Sequence, residues 1–171
     1  MDIKEFLDLN AGKWFSQRTN YLTGDKAQSG KADLTVELLA SDNSTIVNLC
    51  QNERIDPQHS LGGLSTSWDS SVDWGKPKQI GSVVMVFIAD DSSDRTGKVL
   101  RQENGKAQGS YTLGDDGALT VVVETDSIIA EERQWFASDN LRLRTTVVTD
   151  KVTKAIVQTS FYSEIRKAPA K

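Results

Sequence analysis

The chain of 171 residues has one cysteine, Cys50, and one histidine, His59. A lone cysteine forms no intramolecular disulfide and suits a reducing compartment. Zinc sites take three or four Cys, His or carboxylate ligands, so a Cys/His zinc site is excluded. No apolar run approaches the roughly 20 residues that span a bilayer. The opening Met1-Asp2-Ile3-Lys4-Glu5 lacks the basic start and apolar stretch of a secretory signal, so a cytoplasmic location is the expectation. The net charge of −4 argues against a nucleic-acid surface, which is normally basic. The phosphate-cradling GxxxxGKS/T, the dinucleotide GxGxxG and the nucleophile elbow GxSxG are all missing. His59 falls in the loop-like Asp56-Pro57-Gln58-His59 and reads as a solvated residue. Cys50 lies on an apolar stripe and reads as a buried structural thiol.

What is present is alternation. Residues 2–10 read as a short helix: Asp2 and Glu5 have capping-box spacing, Ile3, Phe6 and Leu7 share a face, and Gly12 can end it. A second helix is expected at about 43–53, where Ile46, Leu49 and Cys50 recur at helical spacing. The rest reads as strands at about 13–22, 31–39, 64–73, 80–89, 97–103, 108–113, 118–126, 128–137, 140–148 and 155–165. Turn residues separate them, among them Asn104-Gly105, Gly114-Asp115-Asp116-Gly117 and Ser138-Asp139. Connections this short favour antiparallel neighbours. About ten strands and two short helices point to a closed barrel, preferred over a sandwich because closure removes exposed edges. Strand 80–89 is apolar on both faces, which predicts an inner strand covered by one of the chain's own helices, although a partner subunit would serve as well. Residues 1–166 form one domain in this reading, and Lys167–Lys171 a flexible tail.

The densest chemistry is the hairpin Glu131–Arg144. Arg142 and Arg144 share a face. Opposite them stands either the set Glu131, Arg133 and Trp135 or the set Glu132, Gln134 and Phe136, and a one-residue slip exchanges the two. Cross-strand ion pairs on a solvated face would explain such a run of charge. A cationic clamp for an acidic ligand would explain it too, because guanidinium groups bind carboxylates through paired hydrogen bonds. Arg18 adds a third cation beside Trp14 and Phe15. In a closed barrel the first and last strands meet, which brings Arg18 near Ser160, Tyr162 and Glu164. Trp68, on the polar strand Ser65–Ser70, reads as a core plug or a lumen wall.

The order of residues resembles a known family. Asn10-Ala11-Gly12-Lys13-Trp14-Phe15-Ser16-Gln17-Arg18-Thr19, Ser67-Trp68-Asp69, the run Glu131-Glu132-Arg133 to Trp135-Phe136-Ala137-Ser138 with Asn140-Leu141-Arg142-Leu143-Arg144-Thr145, and Ser163-Glu164-Ile165-Arg166 are similar to the S/U-type phycobiliprotein chromophore (bilin) lyases, the CpcS/CpeS family. The likeness runs from residue 1 to about 166. It implies a mostly β, lipocalin-like (calycin, fatty-acid-binding-protein-like) barrel. It implies binding of an open-chain tetrapyrrole, phycocyanobilin or phycoerythrobilin, and its attachment through a thioether to a cysteine of an apo-phycobiliprotein, a β-subunit being favoured. A non-catalytic carrier or lyase-partner subunit, or a lipid-binding barrel, is the competing reading. By this resemblance Arg18, Arg142 and Arg144 take the bilin propionates, Trp68 and Trp135 pack on pyrrole rings, Ser160 lies beside them, and Glu132, with Glu131 as fallback, is the activating carboxylate. No cofactor of the protein's own and no metal are implied. A homodimer or a paralogous lyase subunit is compatible, in a cyanobacterial cytoplasm or the matching plastid compartment. The segment Leu22–Gly30, polar and without histidine, departs from the family and gives no basis for expecting a bilin contact from the first connection.

Overall fold

The computed structural model describes residues 1–24 and 26–168. Alternation and short turns give ten strands: β1 (Gly12–Leu22), β2 (Gln28–Leu39), β3 (Ser60–Asp69), β4 (Ile80–Asp90), β5 (Ser93–Gln102), β6 (Lys106–Leu113), β7 (Leu119–Glu124), β8 (Ile128–Ser138), β9 (Leu141–Asp150) and β10 (Ile156–Arg166). Each pairs antiparallel with its sequence neighbours, and β1 with β10 closes the barrel. The expected elements are all present. The largest difference is β3, which starts at Ser60 rather than 64 and accommodates Leu61-Gly62 by a register shift between Ser60 and Gly63. The first residue of the expected tail is tied down: the Lys167 N–H donates to the Lys13 carbonyl at 2.8 Å. Pro169–Lys171 lie outside the described residues.

Helix α1 (Ile3–Asn10) closes one end. The Asp2 carboxylate accepts from the Glu5 N–H and the Glu5 carboxylate from the Asp2 N–H, both at 2.8 Å. Its Ile3, Phe6 and Leu7 are fully buried in the main core with Trp14, Leu34, Phe87, Val99 and Tyr111, each such side chain contributing about 1.5–3 kcal/mol. Phe6 meets Phe136 edge-on at 5.2 Å. Helix α2 (Ser44–Asn52) lies on the outside of the barrel. Its Ile46, Leu49 and Cys50 cover Val86, Ile88 and Leu100. That accounts for the two-faced β4: Phe87 faces the barrel core, while Val86 and Ile88 face the chain's own helix. Among the described residues no helix lies across the opposite end of the barrel, which opens into a cavity.

Candidate functional site

The cavity holds about 730 Å³, within the roughly 300–1,000 Å³ typical of small-molecule sites. Its walls come from alternate residues of facing strands: Ser16 and Arg18 on β1, Leu34 on β2, Trp68 on β3, Val83 on β4, Arg101 on β5, Glu132 on β8, Arg144 and Thr146 on β9, and Tyr162 on β10. Leu34, Trp68 and Val83 form an apolar stretch on the neighbouring strands β2, β3 and β4, while Glu132 and Arg144 stand across the barrel on β8 and β9. Trp68 stands directly opposite Gly81 in the β3–β4 ladder. A Cβ added at Gly81 would lie 2.3 Å from a carbon of the Trp68 ring, so the indole lies flat on this glycine.

The hairpin register is settled by a bulge. Ser138 pairs with Leu141 but Phe136 pairs with Arg142, which leaves Ala137 unpaired. The shift puts Glu132, Gln134 and Phe136 on the inner face with Arg142 and Arg144. Glu131, Arg133 and Trp135 go to the outer face. Trp135, expected on a pyrrole ring, therefore pairs with Leu143 outside the barrel. Glu131, the fallback carboxylate, is excluded from the cavity for the same reason.

Arg142 also departs from expectation. It lies below the cavity floor, 4% exposed, and does not line the space. Its Nε donates to Glu164 Oε2 at 2.5 Å and its Nη1 to Asn10 Oδ1 at 2.6 Å. Gln134 donates to the same Asn10 oxygen at 2.6 Å. The guanidiniums of Arg142 and Arg166 both lie over the Trp14 ring, 4.7 Å and 4.2 Å from its centroid. Asn10, at the end of α1, thus ties the closing helix to the polar floor. Ser160 faces inward and is fully buried, where it accepts from Gln158 at 3.0 Å, but it does not line the cavity.

Arg144 is the cation the floor presents upward. Its Nη2 donates to Glu164 Oε1 at 3.0 Å, its Nη1 to Glu132 Oε2 at 3.2 Å, and it lies 4.0 Å over the Tyr162 ring. Its Nε is buried and, among the described residues, has no hydrogen-bond partner. Glu164 is completely buried and also accepts from Ser16 at 3.1 Å. Burial pushes its carboxyl up, but Arg144 and Arg142 outweigh burial and hold it below the ordinary range. Burial lowers the pKa of Arg142. Burial also works against the charge on Arg144, yet Glu132 and Glu164 raise its pKa. Asn10–Arg142–Glu164–Arg144–Glu132 is therefore one continuous polar chain from the closed end into the cavity, with two cations balanced by two carboxylates.

At the mouth Arg18 is exposed and, among the described residues, makes no ion pair within 4 Å. Gln28, Ser29 and Gly30 line the rim, a placement for which the sequence offered no basis. They do so because β2 begins at Gln28 and brings that segment into the wall. The β3–β4 loop adds Asp73 and Lys76, and carries Trp74 at 91% exposure. Sequence reasoning did not single out Arg101 or Asn10, and held Gln134 only as part of one of two alternative faces. Only the barrel closure and the bulge bring Asn10 and Gln134 together. Among the described residues no group of three or more His, Cys, Asp or Glu could hold a metal ion, and no helix is long and apolar enough to cross a membrane.

Comparison with known proteins agrees with the barrel fold. The family model described as CpeS-like protein matches residues 2–167. A protein of Thermosynechococcus vestitus named chromophore lyase CpcS/CpeS is 43% identical over 97% of this chain and 93% of its own. A Picosynechococcus protein named phycocyanobilin lyase subunit CpcS is 37% identical over 86% of this chain and 78% of its own. The solved structure of the S-type phycobiliprotein lyase CPES from Guillardia theta superposes with a TM-score of 0.85 at 26% identity, covering 99% of this chain and 95% of that one. With a family match across nearly its whole length, and relatives this similar over most of theirs, the chain belongs to the CpeS-like family.

Proposed function

We propose that the protein is a phycobiliprotein bilin lyase, which holds an open-chain tetrapyrrole such as phycocyanobilin or phycoerythrobilin in the barrel cavity and joins it to a cysteine of an apo-phycobiliprotein subunit. The observation that carries this reading is the pairing, in one cavity of a CpeS-like chain, of a flat aromatic face at Trp68 with Arg144 and Glu132 across the barrel and Arg18 at the mouth. A bilin is long, conjugated and mostly apolar, with two propionates. Trp68 offers a ring face, the guanidiniums of Arg18 and Arg144 offer donors for carboxylates, and Glu132 offers a counter-ion for protonated pyrrole nitrogens. The reaction is an addition. The acceptor thiol sulfur forms a bond to the exocyclic carbon of the A-ring double bond, and a proton goes to the adjoining carbon. No oxidant or reductant is consumed. The protein contributes positioning and electrostatic activation of the bilin.

The nucleophile comes from the partner. Cys50 is fully buried beneath α2 on the outside of the barrel wall, and burial pushes its thiol up, away from the reactive thiolate. The test mixes pure protein with phycocyanobilin or phycoerythrobilin and follows the absorbance. Apo-β-subunit is then added and covalent pigment is sought on a denaturing gel. Wild type and Cys50→Ser are expected to give equal pigment. Binding without transfer would select a carrier, and no spectral change would select a lipid-binding barrel.

The Trp68 wall has its own test. Gly81→Ala adds a Cβ where the indole lies, so the ring must swing into the cavity. Bilin affinity is expected to fall about tenfold, or ~1.4 kcal/mol, in a titration by absorbance. Unchanged affinity would remove Trp68 from the binding wall.

A further inference from the structure

We propose that the exposed apolar strip Tyr21, Val152, Ile156, Val157 and Phe161, at the open end of the barrel, is the surface on which the acceptor protein docks to bring its cysteine to the cavity mouth. This rests on the lyase reading. Single exposed apolar residues are ordinary, but these form one strip. Val152 is 86% exposed, Ile156 56%, Tyr21 50%, Phe161 50% and Val157 37%. Tyr21 and Phe161 meet edge-on across the β1–β10 ladder, their centroids 6.1 Å apart. The end of β1 is pinned to the start of β10, since the Thr23 N–H donates to Val157 O at 3.1 Å and its hydroxyl to Ile156 O at 2.7 Å. Val152 lies in the adjoining β9–β10 turn.

The strip lies beside the site but on the other face of the wall. Arg18 and Tyr162, which line the cavity, pair with each other on the inner face of the two strands whose outer face carries Tyr21 and Phe161. The other end of the barrel is closed by α1, so a thiol carried by another protein can reach a bound ligand only through this mouth. Thioether formation requires that approach, so the ground around the mouth must touch the acceptor. Aromatic and aliphatic side chains beside a functional opening are the usual centre of such contacts. The partner surface that fits is apolar at its centre and presents a cysteine.

The experiment compares the full-length protein with Val152→Asp/Ile156→Asp and with Ile165→Asp. Ile165 is 52% exposed on the same β10, but at the closed end. Bilin binding is read by absorbance, and transfer is read at varied apo-subunit concentration. The double variant should bind bilin within twofold of wild type and show a KM for the acceptor raised at least tenfold. Ile165→Asp should change neither. An unchanged acceptor KM in the double variant overturns the proposal, as does loss of bilin binding, which would make the strip part of the pocket. A wild-type dimer split by the double variant with acceptor KM unchanged assigns the strip to a second copy and also overturns it. Absence of covalent product from wild type is a different result, and strikes the lyase reading itself.

Discussion

Glu164→Ala is expected to lower folding stability by about 3–5 kcal/mol, the cost of breaking a buried ion pair from one side. Glu164 has no exposed surface and takes hydrogen bonds from Arg142, Arg144 and Ser16. Without it the Arg142 guanidinium stays buried with Asn10 Oδ1 as its remaining polar acceptor and the Trp14 face beside it. Glu132 still compensates Arg144, so the loss falls on Arg142 and, through Asn10, on the seating of α1. The measurement is the urea midpoint by circular dichroism at pH 7, with the unfolding slope unchanged. A cost below about 1 kcal/mol would mean that the cluster relaxes and carries little. The pH dependence follows from the direction of the shift. The folded carboxyl lies below its ordinary value of 4.5. Its contribution is therefore complete above that value and is lost as pH falls through the lower, folded one. Wild type should lose more stability between pH 7 and pH 3 than Glu164→Gln, whose amide cannot take up that proton.

The barrel was legible in the sequence because half-buried strands alternate and their turns carry Gly, Asn and Asp. Where ten such strands run without a crossover, closure is the economical solution. The site was legible only as far as composition goes. Arg18, Trp68, Arg144 and Glu132 were expected in the lumen and line it. Arg142, Trp135 and Ser160 were expected there and do not. For Arg142 and Trp135 the causes are local. A two-residue Asp139-Asn140 turn continued without interruption would set Trp135 and Arg133 beside the arginines. The unpaired Ala137 reverses that choice, and no residue type in the run announces a bulge. The inner placement suits the neighbours: Phe136 packs against Phe6 and Trp14, Gln134 reaches Asn10, and the outer Arg133 reaches Asp116. Arg142 was misread because alternation gives a face but not a depth. Opposite Glu164 and close to α1, it is a strut of the floor, while Arg144, two residues on, is the one the cavity sees.

Glu132→Gln carries the largest expected effect on the reaction. Transfer should fall about 100-fold or more, in the range of about 10²–10⁴ that a positioned proton-transfer group supplies, while bilin affinity stays within about threefold. Glu132 accepts from Arg144 at 3.2 Å and from Thr146 at 3.5 Å. Two arginines and two carboxylates balance there. A ligand propionate that takes a donor from Arg144 frees the Glu132 carboxylate for the pyrrole nitrogens of the same ligand. The arriving bilin would thus bring its own anion to the guanidinium and gain a counter-ion for its protonated, more electrophilic form. Glutamine keeps the size and the hydrogen bonds but not the charge. The bound pigment should therefore lose its long-wavelength cationic absorption at neutral pH, and the apparent pKa of that band should move down. Glu131→Gln is the control, one residue away on the outer face. It should leave both spectrum and transfer unchanged. Equal loss in the two variants would mean that charge on the hairpin matters only in bulk. Loss in Glu131→Gln alone would mean that the bulge register is wrong. Loss in Glu132→Gln alone, with the band shifted and binding kept, identifies the carboxylate that faces the ligand.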